Sequence, residues 1–368
     1  MRTVQVPLGS RAYTIHIGNG LLAKLGEPCR RLKLGERCTI VTDANVGPRY
    51  ADAVLRALKM AGFVANVVTV PAGESAKSLK VLGECFDQFA MRRLERRSFV
   101  VALGGGCVGD LAGFAAASYL RGIPYVQVAT TLLAQVDSSV GGKVGINLKA
   151  GKNLVGAFHQ PRAVFCDLDT LATLPERELK AGLAEVVKYG VIQDAELFRR
   201  LERELDRILA RDPGVLSAII ARCCTLKSEV VTQDEFETGG VRAMLNFGHT
   251  LGHGLEAISG YQEYLHGEAV SVGMVAAGLL STRVLGFPEK DAGRLRALLT
   301  RIGLPVALKL APRKREQLFD AMRLDKKVSG GELKFVLARA LGEVVPGQRV
   351  ADSDIQAVLN QLVPGPDV

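Results

Sequence analysis

Residues 38–168 alternate short apolar runs with longer amphipathic stretches, and few folds accommodate this alternation. The short runs are rich in β-branched residues, which is typical of buried strands, and the stretches between them repeat apolar residues with a helical period. Strands that alternate with helices predict a parallel sheet with right-handed crossover connections. The fold class is therefore α/β. The predicted strands are 38–46, 65–70, the first residues of 98–120, 124–130 and 163–168.

The two ends of the chain depart from this alternation. Residues 1–17 alternate apolar and polar side chains around a short turn, which predicts a β-hairpin. From Pro175 onward the pattern is a series of amphipathic helices with one strand-like piece at 333–340. We therefore place a domain boundary near residue 174, with a parallel α/β domain before it and a domain of successive helices after it. The predicted helices of the second domain are 175–190, 194–209, 213–233, 246–258, 267–285, 290–301, 314–322 and 353–362.

Ligands of a parallel sheet bind beyond the carboxyl ends of its strands, and unusual polar residues of this chain fall there. The segment Gly104–Asp110 follows a strand, precedes a helix and fits the GxGxxG pattern of a pyrophosphate-binding turn. Tight packing of a glycine-rich turn is the alternative, because the acid expected about 20 residues later is missing. If a dinucleotide binds, Asp43 at the end of an earlier strand is the candidate partner for its ribose.

The segment from Thr131 to Asn147 places an acid, two hydroxyl side chains and a lysine around a glycine turn. The acid is Asp137 and the lysine is Lys143, with Lys152 shortly after them. Both lysines can bind phosphate as point charges. A solvated loop is the alternative, but the flanking residues are apolar, which favours a functional segment.

Helix 175–190 carries Glu185 and Lys188 one turn apart. An ion pair on the surface is the usual arrangement for such a spacing. The neighbouring residues are largely apolar and leave little wetted surface. We therefore expect Glu185 to be buried and to need a partner such as a metal ion.

Three of the five histidines fall between residues 246 and 268, namely His249, His253 and His266. His249 and His253 are four residues apart, so on a helix they share one face, with Asn246 a turn earlier on the same side. Two imidazoles at that spacing can reach one divalent metal. A helix that merely carries polar residues is the alternative. The third histidine and the nearby acids favour a metal or acid–base site, although the HExxH motif of zinc proteases is absent.

Charge and composition limit the class of ligand. The chain has 47 basic and 38 acidic residues, a net charge of +9, but the basic residues are interleaved with acids. Aromatic residues make up 5% and tryptophan is absent, so no platform for stacking bases is evident. We expect an anionic small-molecule substrate rather than nucleic acid. Arg242 suits a carboxylate through its planar guanidinium.

The cysteines and the apolar runs indicate a cellular compartment. None of the seven cysteines forms a CxxC motif, and most have apolar neighbours, as is typical of reduced cysteines in a cytosolic protein. The N-terminal residues lack the apolar run of a signal peptide. The run 269–280 is too short to span a bilayer and predicts a buried helix. We expect a soluble, cytoplasmic protein.

A series of longer motifs extends over nearly the whole chain. In order they are PAGESAK, GGGCVGDLAGFAAASYLRG, ATTLLAQVDSSVGGKVGIN, GKNLVGAFHQP, LPERELKAGLAEVVKYG, LNFGHTLGHGLE, HGEAV and LDKK. Through these motifs the chain resembles the 3-dehydroquinate synthase family in its monofunctional form. The resemblance implies an α/β, Rossmann-like NAD-binding domain over 1–174, followed by an all-α metal- and substrate-binding domain over 175–368.

The resemblance also implies functional residues at the positions that match the family's motifs. The implied ligands of zinc or cobalt are Glu185, His249 and His266. The implied NAD-binding positions are Asp43, Asn45, Gly73, Glu74, Ser75, Lys77, Gly105, Gly106, Val108, Gly109, Asp110, Thr130, Thr131, Lys143 and Lys152. The implied substrate and catalytic positions are Asp137, Lys143, Lys152, Asn153, Lys188, Lys227, Arg242, Asn246, His253 and Lys326. Arg121 matches an arginine that reaches the substrate phosphate of the neighbouring subunit, which implies a homodimer.

The resemblance implies that the protein converts 3-deoxy-D-arabino-heptulosonate 7-phosphate into 3-dehydroquinate and phosphate in the shikimate pathway. Two other classes stay open. One is a related sugar-phosphate cyclase that makes valiolone-type or inosose-type rings, against which Arg242 and Asn246 argue because its substrates lack a carboxylate. The other is a metal-dependent alcohol or polyol dehydrogenase, which would not need so many anion-binding lysines.

Overall fold

The computed structural model describes residues 1–260, 263–308, 310, 314, 317–322 and 333–363. The chain divides into two compact units. The first unit comprises Met1–Leu174 and Leu216–Phe236, and the second unit comprises Pro175–Val215 and Glu237–Val368. The units differ from the predicted domains in one segment, because Leu216–Phe236 belongs to the first unit.

A seven-stranded sheet forms the centre of the first unit. The strands of this unit are β1 (Arg2–Val6), β2 (Tyr13–Gly18), β3 (Arg37–Asp43), β4 (Val64–Val70), β5 (Phe99–Gly104), β6 (Tyr125–Ala129), β7 (Lys143–Leu148), β8 (Gly151–Phe158) and β9 (Ala163–Asp167). The sheet has the order β1-β2-β9-β6-β5-β3-β4, and every neighbouring pair is parallel apart from β1 and β2. The predicted parallel sheet and the N-terminal hairpin are confirmed.

Both faces of this sheet are buried. Successive residues of a strand point to opposite faces, so neighbouring residues of one strand pack into different apolar clusters. In β5, Val100 and Ala102 join one apolar cluster together with Leu111, whereas Val101 and Leu103 join another. The helices that supply these clusters are α1 (Gly26–Arg31), α2 (Gly47–Met60), α3 (Leu79–Met91) and α4 (Gly106–Ser118). Strands covered on both faces have continuous apolar sequences, which explains why β5 shows no alternation.

Residues 143–158 form a β-hairpin that the sequence did not predict. The strands β7 and β8 pair in antiparallel register as a separate two-stranded sheet. Their backbones lie very close together, since a Cβ atom added at Gly156 would be 2.2 Å from the carbonyl oxygen of Val144. Only glycine fits at such a contact. Glycines of this kind are also typical of turns, which is why the segment resembled a loop.

Helices make up most of the second unit. Its helices are α5 (Glu176–Ile192), α6 (Ala195–Leu209), the start of α7 (Pro213–Gln233), α8 (His249–Ile258), α9 (His266–Leu285), α10 (Glu289–Ile302) and α11 (Asp352–Gln361). Two strands, β10 (Lys334–Ala340) and β11 (Glu343–Arg349), form an antiparallel pair in this unit. The first of them matches the strand-like piece at 333–340, and the second was not predicted.

The helix α9 lies in the core of the second unit. Among the described residues it is the one helix that is long and apolar enough to cross a membrane by length and composition. However, 67% of its most apolar window is buried inside the protein, and residues such as Val270 and Met274 have no exposed surface. The prediction of a buried helix for 269–280 is therefore confirmed.

Candidate metal centre and nucleotide-binding loops

Glu185 lies in the middle of α5 and is 1% exposed. Its chain neighbours Ala184 and Val186 are also buried, so the carboxylate lies in an apolar part of the second unit. Lys188, one turn later and 2% exposed, is in ion-pair contact with Glu185 Oε2. The predicted burial of Glu185 is confirmed, and a carboxylate in this position needs compensating positive charge.

Two histidines from other helices complete a three-residue cluster with Glu185. His249 is the first residue of α8, and His266 is the first residue of α9. Their Nε2 atoms lie 3.6 and 3.5 Å from Glu185 Oε1, and one ligand atom from each of the three residues lies within 4.8 Å of the others. Atoms bound about 2.1 Å from one tetrahedral zinc ion are themselves about 3.4 Å apart. The cluster therefore fits a divalent metal with a further position open.

The electrostatics of the cluster favour the ligating forms of two residues. Burial raises the pKa of Glu185, but Lys188 and the two imidazoles lower it by more, so it lies well below its ordinary value. Burial and the nearby Lys188 hold the pKa of His249 well below its ordinary value. Glu185 is therefore ionised and His249 is neutral near pH 7, as metal binding requires.

His266 has a second acidic neighbour, Glu256, whose role was missed in the sequence. Glu256 lies on α8, is 3% exposed, and places Oε2 3.3 Å from His266 Nδ1. Burial lowers the pKa of His266, but the two carboxylates beside it raise it to about 10, so a metal ion that binds this imidazole displaces a proton from it. A carboxylate on the outer nitrogen of a ligating histidine fixes the ring and its tautomer. The sequence held a signal for it, because Glu256 shares a helical face with His249 and His253.

His253 lies beside the cluster and is not one of its three members. Its ring centroid is 5.2 Å from that of His249 and 6.3 Å from that of His266, and the residue is exposed. Helical spacing alone left His253 open as a ligand, whereas the family resemblance paired His249 with His266. The geometry agrees with the second pairing.

Asn246 does not lie on the helix that carries His249, and this corrects the predicted helix 246–258. Asn246 ends a separate 3-10 helix, Val241–Asn246, and α8 begins at His249. Between them Gly248 has a φ of 81°, a left-handed conformation that interrupts a right-handed helix. Asn246 is exposed in this arrangement.

We expect Gly273→Ala to disturb the metal cluster through steric contact alone. A Cβ atom added at Gly273 on α9 would lie 1.9 Å from the carbonyl oxygen of Gly248, immediately before His249. The start of α8 would have to move, which should lower the free energy of unfolding by about 3 kcal/mol. Zinc affinity should fall with it because His249 is displaced. Urea denaturation and calorimetric titration with zinc measure the two effects.

Gly293→Ala is the matched control for this substitution. Gly293 lies on α10, and apart from its chain neighbours and the backbone of its own helix no described atom would lie within 4 Å of its added Cβ. Alanine stabilises a helix by up to about 1 kcal/mol relative to glycine, so this variant should be neutral or slightly stabilised. Equal effects of the two variants would contradict the proposed contact.

Four loops of the first unit carry the predicted nucleotide-binding residues. They follow the strands β3, β4, β5 and β6, which are neighbours in the sheet. The carboxyl ends of neighbouring parallel strands are the usual place for a bound nucleotide. The residues are Asp43 and Asn45 after β3, Gly73, Glu74, Ser75 and Lys77 after β4, Gly105, Gly106, Val108, Gly109 and Asp110 after β5, and Thr130 and Thr131 after β6.

The glycine turn after β5 fits a pyrophosphate. Gly105 precedes α4 and Gly106 is its first residue, and the first turn of this helix contains no acidic residue. Added Cβ atoms would lie 3.0 Å from Thr131 at Gly105 and 3.0 Å from Ser138 at Gly106. The N–H groups of a first helical turn have no acceptor within the helix. A turn without side chains that leads into such N–H groups is suited to bind phosphate oxygens.

Two residues of this turn face the interior of the protein. Val108 is 1% exposed, and a Cβ atom added at Gly109 would lie 2.2 Å from Gln127 Nε2. Their side-chain positions therefore pack against the sheet. Any contact of these two residues with a nucleotide would have to come from their backbone.

Asp43 organises the loop after β3. Its Oδ1 accepts hydrogen bonds from the backbone N–H groups of Asn45 at 2.8 Å and Val46 at 2.9 Å. Asp43 is 8% exposed, whereas Asn45 is exposed. The carboxylate thus fixes the local turn at the position where the sequence placed a ribose partner.

Lys77 connects the loop after β4 with the glycine turn and with the β7–β8 hairpin. The residue is 3% exposed, and its Nζ donates to Asp110 Oδ2 at 2.7 Å and contacts Asn153 Oδ1. Burial lowers the pKa of Lys77, but the carboxylates of Asp110 and Glu74 raise it by more, so the amine stays protonated. Lys152 Nζ lies 3.6 Å from Glu74 Oε1. Predicted NAD and substrate positions therefore share one network.

Asp137 and Lys227 lie 90 residues apart in sequence and are in direct contact in the first unit. Asp137 belongs to a π-helical turn, Ala134–Ser138, a feature that is frequent at functional sites. Lys227 is 6% exposed, and its Nζ lies 2.8 Å from Asp137 O and 2.9 Å from Asp137 Oδ1. The structure thus brings together two positions that the resemblance assigned to substrate binding or catalysis.

The remaining predicted residues are more scattered. Arg242 is 3% exposed, with Nε 3.5 Å from Glu237 Oε1. Lys143 is exposed at the start of β7, and Arg121 is exposed with a φ of 66°. Lys326 lies outside the described residues.

The fold and these residues define an α/β protein equipped for nucleotide and metal chemistry, since it combines a Rossmann-like sheet and glycine turn with a Glu–His–His cluster around the buried Glu185. The chain matches the family model for the 3-dehydroquinate synthase N-terminal region over residues 67–181 and the C-terminal model over residues 182–328. The 3-dehydroquinate synthase of Desulforamulus reducens (strain ATCC BAA-1160 / DSM 100696 / MI-1) is 49% identical over 98% of this chain and 100% of its own length. The chain belongs to the 3-dehydroquinate synthase family.

Two solved structures are similar over nearly the whole chain. One is 2-epi-5-epi-valiolone synthase from Streptomyces hygroscopicus subsp. jinggangensis 5008 with NAD⁺ and Zn²⁺ bound, with a TM-score of 0.87, 30% identity, and 95% of this chain and 96% of that chain covered. The other is 2-deoxy-scyllo-inosose synthase complexed with carbaglucose-6-phosphate, NAD⁺ and Co²⁺, with a TM-score of 0.89, 27% identity, and 98% and 100% covered.

Proposed function

We propose that the protein converts 3-deoxy-D-arabino-heptulosonate 7-phosphate into 3-dehydroquinate and phosphate. The observation that carries the proposal is the cluster of Glu185, His249 and His266, which has the separations of a metal site in a chain of this family. The reaction has no net redox change, because the substrate is oxidised and later reduced again. The enzyme is therefore a phosphate-eliminating lyase.

The two units would hold different groups. The loops after β3 to β6 would hold NAD in the first unit, together with Lys143 and Lys152, and the three-residue cluster would hold Zn²⁺ or Co²⁺ in the second unit. The solved structures of the two similar synthases contain these groups, NAD⁺ with Zn²⁺ in one and NAD⁺ with Co²⁺ in the other. When bound, NAD would supply reversible hydride transfer and the metal would make a substrate hydroxyl more acidic.

Basic residues of the chain would bind the two anionic groups of the substrate. Arg242 and Asn246 are assigned to the carboxylate, because a guanidinium offers two parallel N–H donors to it. The residues assigned to the phosphate are Lys152, Asn153, His253, Lys326 and, from the neighbouring subunit, Arg121. Oxidation at C5 acidifies the proton at C6, and an oxygen of the substrate phosphate itself is the proposed base. The protein then needs only to hold the phosphate near that proton.

Other residues would act by holding charges in place. Lys188 keeps Glu185 ionised, as its ion-pair contact indicates. Lys227 holds both the carbonyl and the carboxylate of Asp137. After elimination and re-reduction, ring opening and aldol closure complete the carbocycle. We assign Asp137, Lys188 and Lys227 to the catalytic set on this basis, and Lys143 on the basis of the family resemblance.

Phosphate release tests the proposed activity directly. With zinc, NAD⁺ and heptulosonate phosphate, the protein should release phosphate without accumulating NADH. Sedoheptulose 7-phosphate, which lacks the carboxylate, should be a poor substrate. Preference for sedoheptulose 7-phosphate would support a related cyclase instead. Net NADH formation with glycerol would support a polyol dehydrogenase.

We also propose a homodimer in which Arg121 serves the site of the neighbouring subunit. Leu120 and Arg121 both have left-handed backbone conformations, with φ of 50° and 66°, and both are exposed. Such conformations are unfavourable for non-glycine residues and are concentrated at functional positions. The loop thus presents Arg121 to the outside of its own first unit.

Mixed dimers test the placement of Arg121. Arg121→Ala and Glu185→Ala should each be inactive alone, but their co-expression should restore about a quarter of wild-type activity, since half of the dimers are mixed and each has one intact site. An inactive mixture of folded dimers would place Arg121 in the site of its own subunit. Size-exclusion chromatography with light scattering measures the dimer itself.

The cysteines agree with the cytoplasmic location that we propose. All seven lie among the described residues, none of them forms a disulfide, and six of them are buried. Cysteines that form no disulfides are typical of a reducing compartment. Cell fractionation with an antibody against the protein checks this location.

A further inference from the structure

Asn147 has no role in the proposed function, yet it lies at an irregularity of the β7–β8 hairpin. The strand register shifts between Ile146 and Leu148, so Asn147 has no residue directly opposite it in the described hairpin. A bulge of this kind releases a backbone group and redirects a side chain. The backbone N–H of Asn147 donates instead to the carbonyl oxygen of Lys77 at 2.9 Å.

The side chain of Asn147 joins two further segments. Its Nδ2 donates to Glu74 Oε2 at 2.7 Å, and its Oδ1 accepts from the backbone N–H of Asn153 at 2.9 Å. The partners fix the orientation of the amide, because an ionised carboxylate only accepts and a backbone N–H only donates. One side chain therefore uses both its donor and its acceptor to connect the loop after β4 with the turn of the hairpin.

Both partners of Asn147 are constrained groups. Burial raises the pKa of Glu74, but nearby lysines and the Asn147 amide lower it by more, so the carboxylate stays ionised. Cys107 Sγ also donates to it at 3.6 Å. Asn153 has a φ of 54°, a left-handed conformation that costs free energy for a residue other than glycine. Its hydrogen bond to Asn147 helps to hold that conformation.

We propose that Asn147 is a positioning residue that couples the loop Gly73–Lys77 to the hairpin turn Lys152–Asn153. The proposal rests on the proposed function, which assigns NAD to the first segment and the substrate phosphate to the second. A single amide orders both segments. Binding of NAD⁺ at one segment therefore favours binding of phosphate at the other, and the reverse holds equally because such coupling is reciprocal.

Asn147→Asp isolates this coupling because it keeps the shape of the side chain and its acceptor. The donor is replaced by a carboxylate oxygen that faces Glu74, so like charges meet. We expect the Kd for NAD⁺ and the KM for heptulosonate phosphate each to rise about 10-fold, as expected when a charge-assisted hydrogen bond is lost. In the wild type, inorganic phosphate should tighten NAD⁺ binding. In Asn147→Asp this effect should disappear.

Adding Glu74→Gln to Asn147→Asp reverses the direction of the hydrogen bond. The new amide can donate to the new carboxylate, so the double variant should recover most of the NAD⁺ affinity that Asn147→Asp loses. If Asn147 were needed only for general stability, the losses of NAD⁺ affinity caused by the two substitutions would add and the double variant would recover nothing. Calorimetric titration with NAD⁺, with and without inorganic phosphate, measures both quantities on the full chain.

Asn360→Asp is the matched control, since it makes the same chemical change at an exposed position of α11. It should leave NAD⁺ affinity and Tm unchanged. Wild-type NAD⁺ affinity and phosphate coupling in Asn147→Asp would overturn the proposal. So would losses that the double variant fails to recover. The titrations need no turnover, so a wild-type protein that releases no phosphate from the heptulosonate would refute the proposed function and leave this test intact.

Discussion

Glu185→Gln is expected to lower zinc affinity by more than about 100-fold and to abolish phosphate release. Mutation of a residue that only hydrogen-bonds to a metal ligand already lowers metal affinity by about 10- to 100-fold. Loss of the anionic ligand itself should lower it further. Glutamine has nearly the same shape, so the change removes charge without leaving a cavity. Calorimetric titration with zinc and metal analysis of the purified protein measure the effect.

The thermal stability of the same variant gives an independent measure of metal binding. A ligand at 100 times its Kd stabilises the folded state by about 2.7 kcal/mol, so zinc should raise the Tm of the wild type. It should leave the Tm of Glu185→Gln unchanged. Glu176→Gln is the control, because Glu176 lies on the same helix, is exposed and pairs with Lys180 at the surface. That variant should bind zinc as the wild type does.

A second consequence concerns Lys188, which is 2% exposed and pairs with Glu185. Removing one partner of a buried ion pair typically costs about 3–5 kcal/mol, because the other charge remains buried. Glu185→Gln should therefore unfold more easily even without metal. Combining it with Lys188→Met should restore much of the stability but none of the zinc affinity. Wild-type zinc affinity in the single variant would show that the metal ligands are elsewhere.

The parallel sheet could be predicted because its information is local. A strand such as β5, buried on both faces, needs a continuous apolar run, and that run is visible in the sequence. The hairpin β7–β8 could not be predicted in the same way. Its strands depend on glycines that permit close contact between backbones, as at Gly156, and in sequence such glycines resemble those of a turn.

The metal cluster could also be predicted only in part, because it depends on contacts between segments that are distant in sequence. Helical spacing could identify His249 and His253 as neighbours, but it cannot show which helices pack together. His266 starts another helix and Glu185 lies in the middle of a third. Their convergence depends on close helix packing, including the contact between Gly273 and Gly248. In the sequence, only the family resemblance pairs His249 with His266.

Arg242→Met is expected to raise the KM for heptulosonate phosphate by about 100-fold while NAD⁺ affinity is unchanged. A charge-assisted hydrogen bond contributes about 1.5–3 kcal/mol, and a guanidinium can make two of them to one carboxylate. The stability cost should be small, because the side chain of Glu237, which pairs with Arg242, is 38% exposed and can be hydrated. Arg283→Met is the control, since Arg283 makes an ion pair of the same 3.5 Å length with Asp354.

The comparison of two substrates makes this prediction specific to the carboxylate. Sedoheptulose 7-phosphate has no carboxylate, so its slow turnover should not fall further in Arg242→Met. The kcat/KM for heptulosonate phosphate should therefore fall toward the kcat/KM for sedoheptulose 7-phosphate. The ratio of the two values should decrease by about the same factor as the kcat/KM for heptulosonate phosphate. Equal losses for both substrates would indicate that Arg242 supports the site in general. Lost NAD⁺ affinity would assign Arg242 to NAD⁺ binding. Either outcome would mean that Arg242 does not distinguish this reaction from those of the related cyclases.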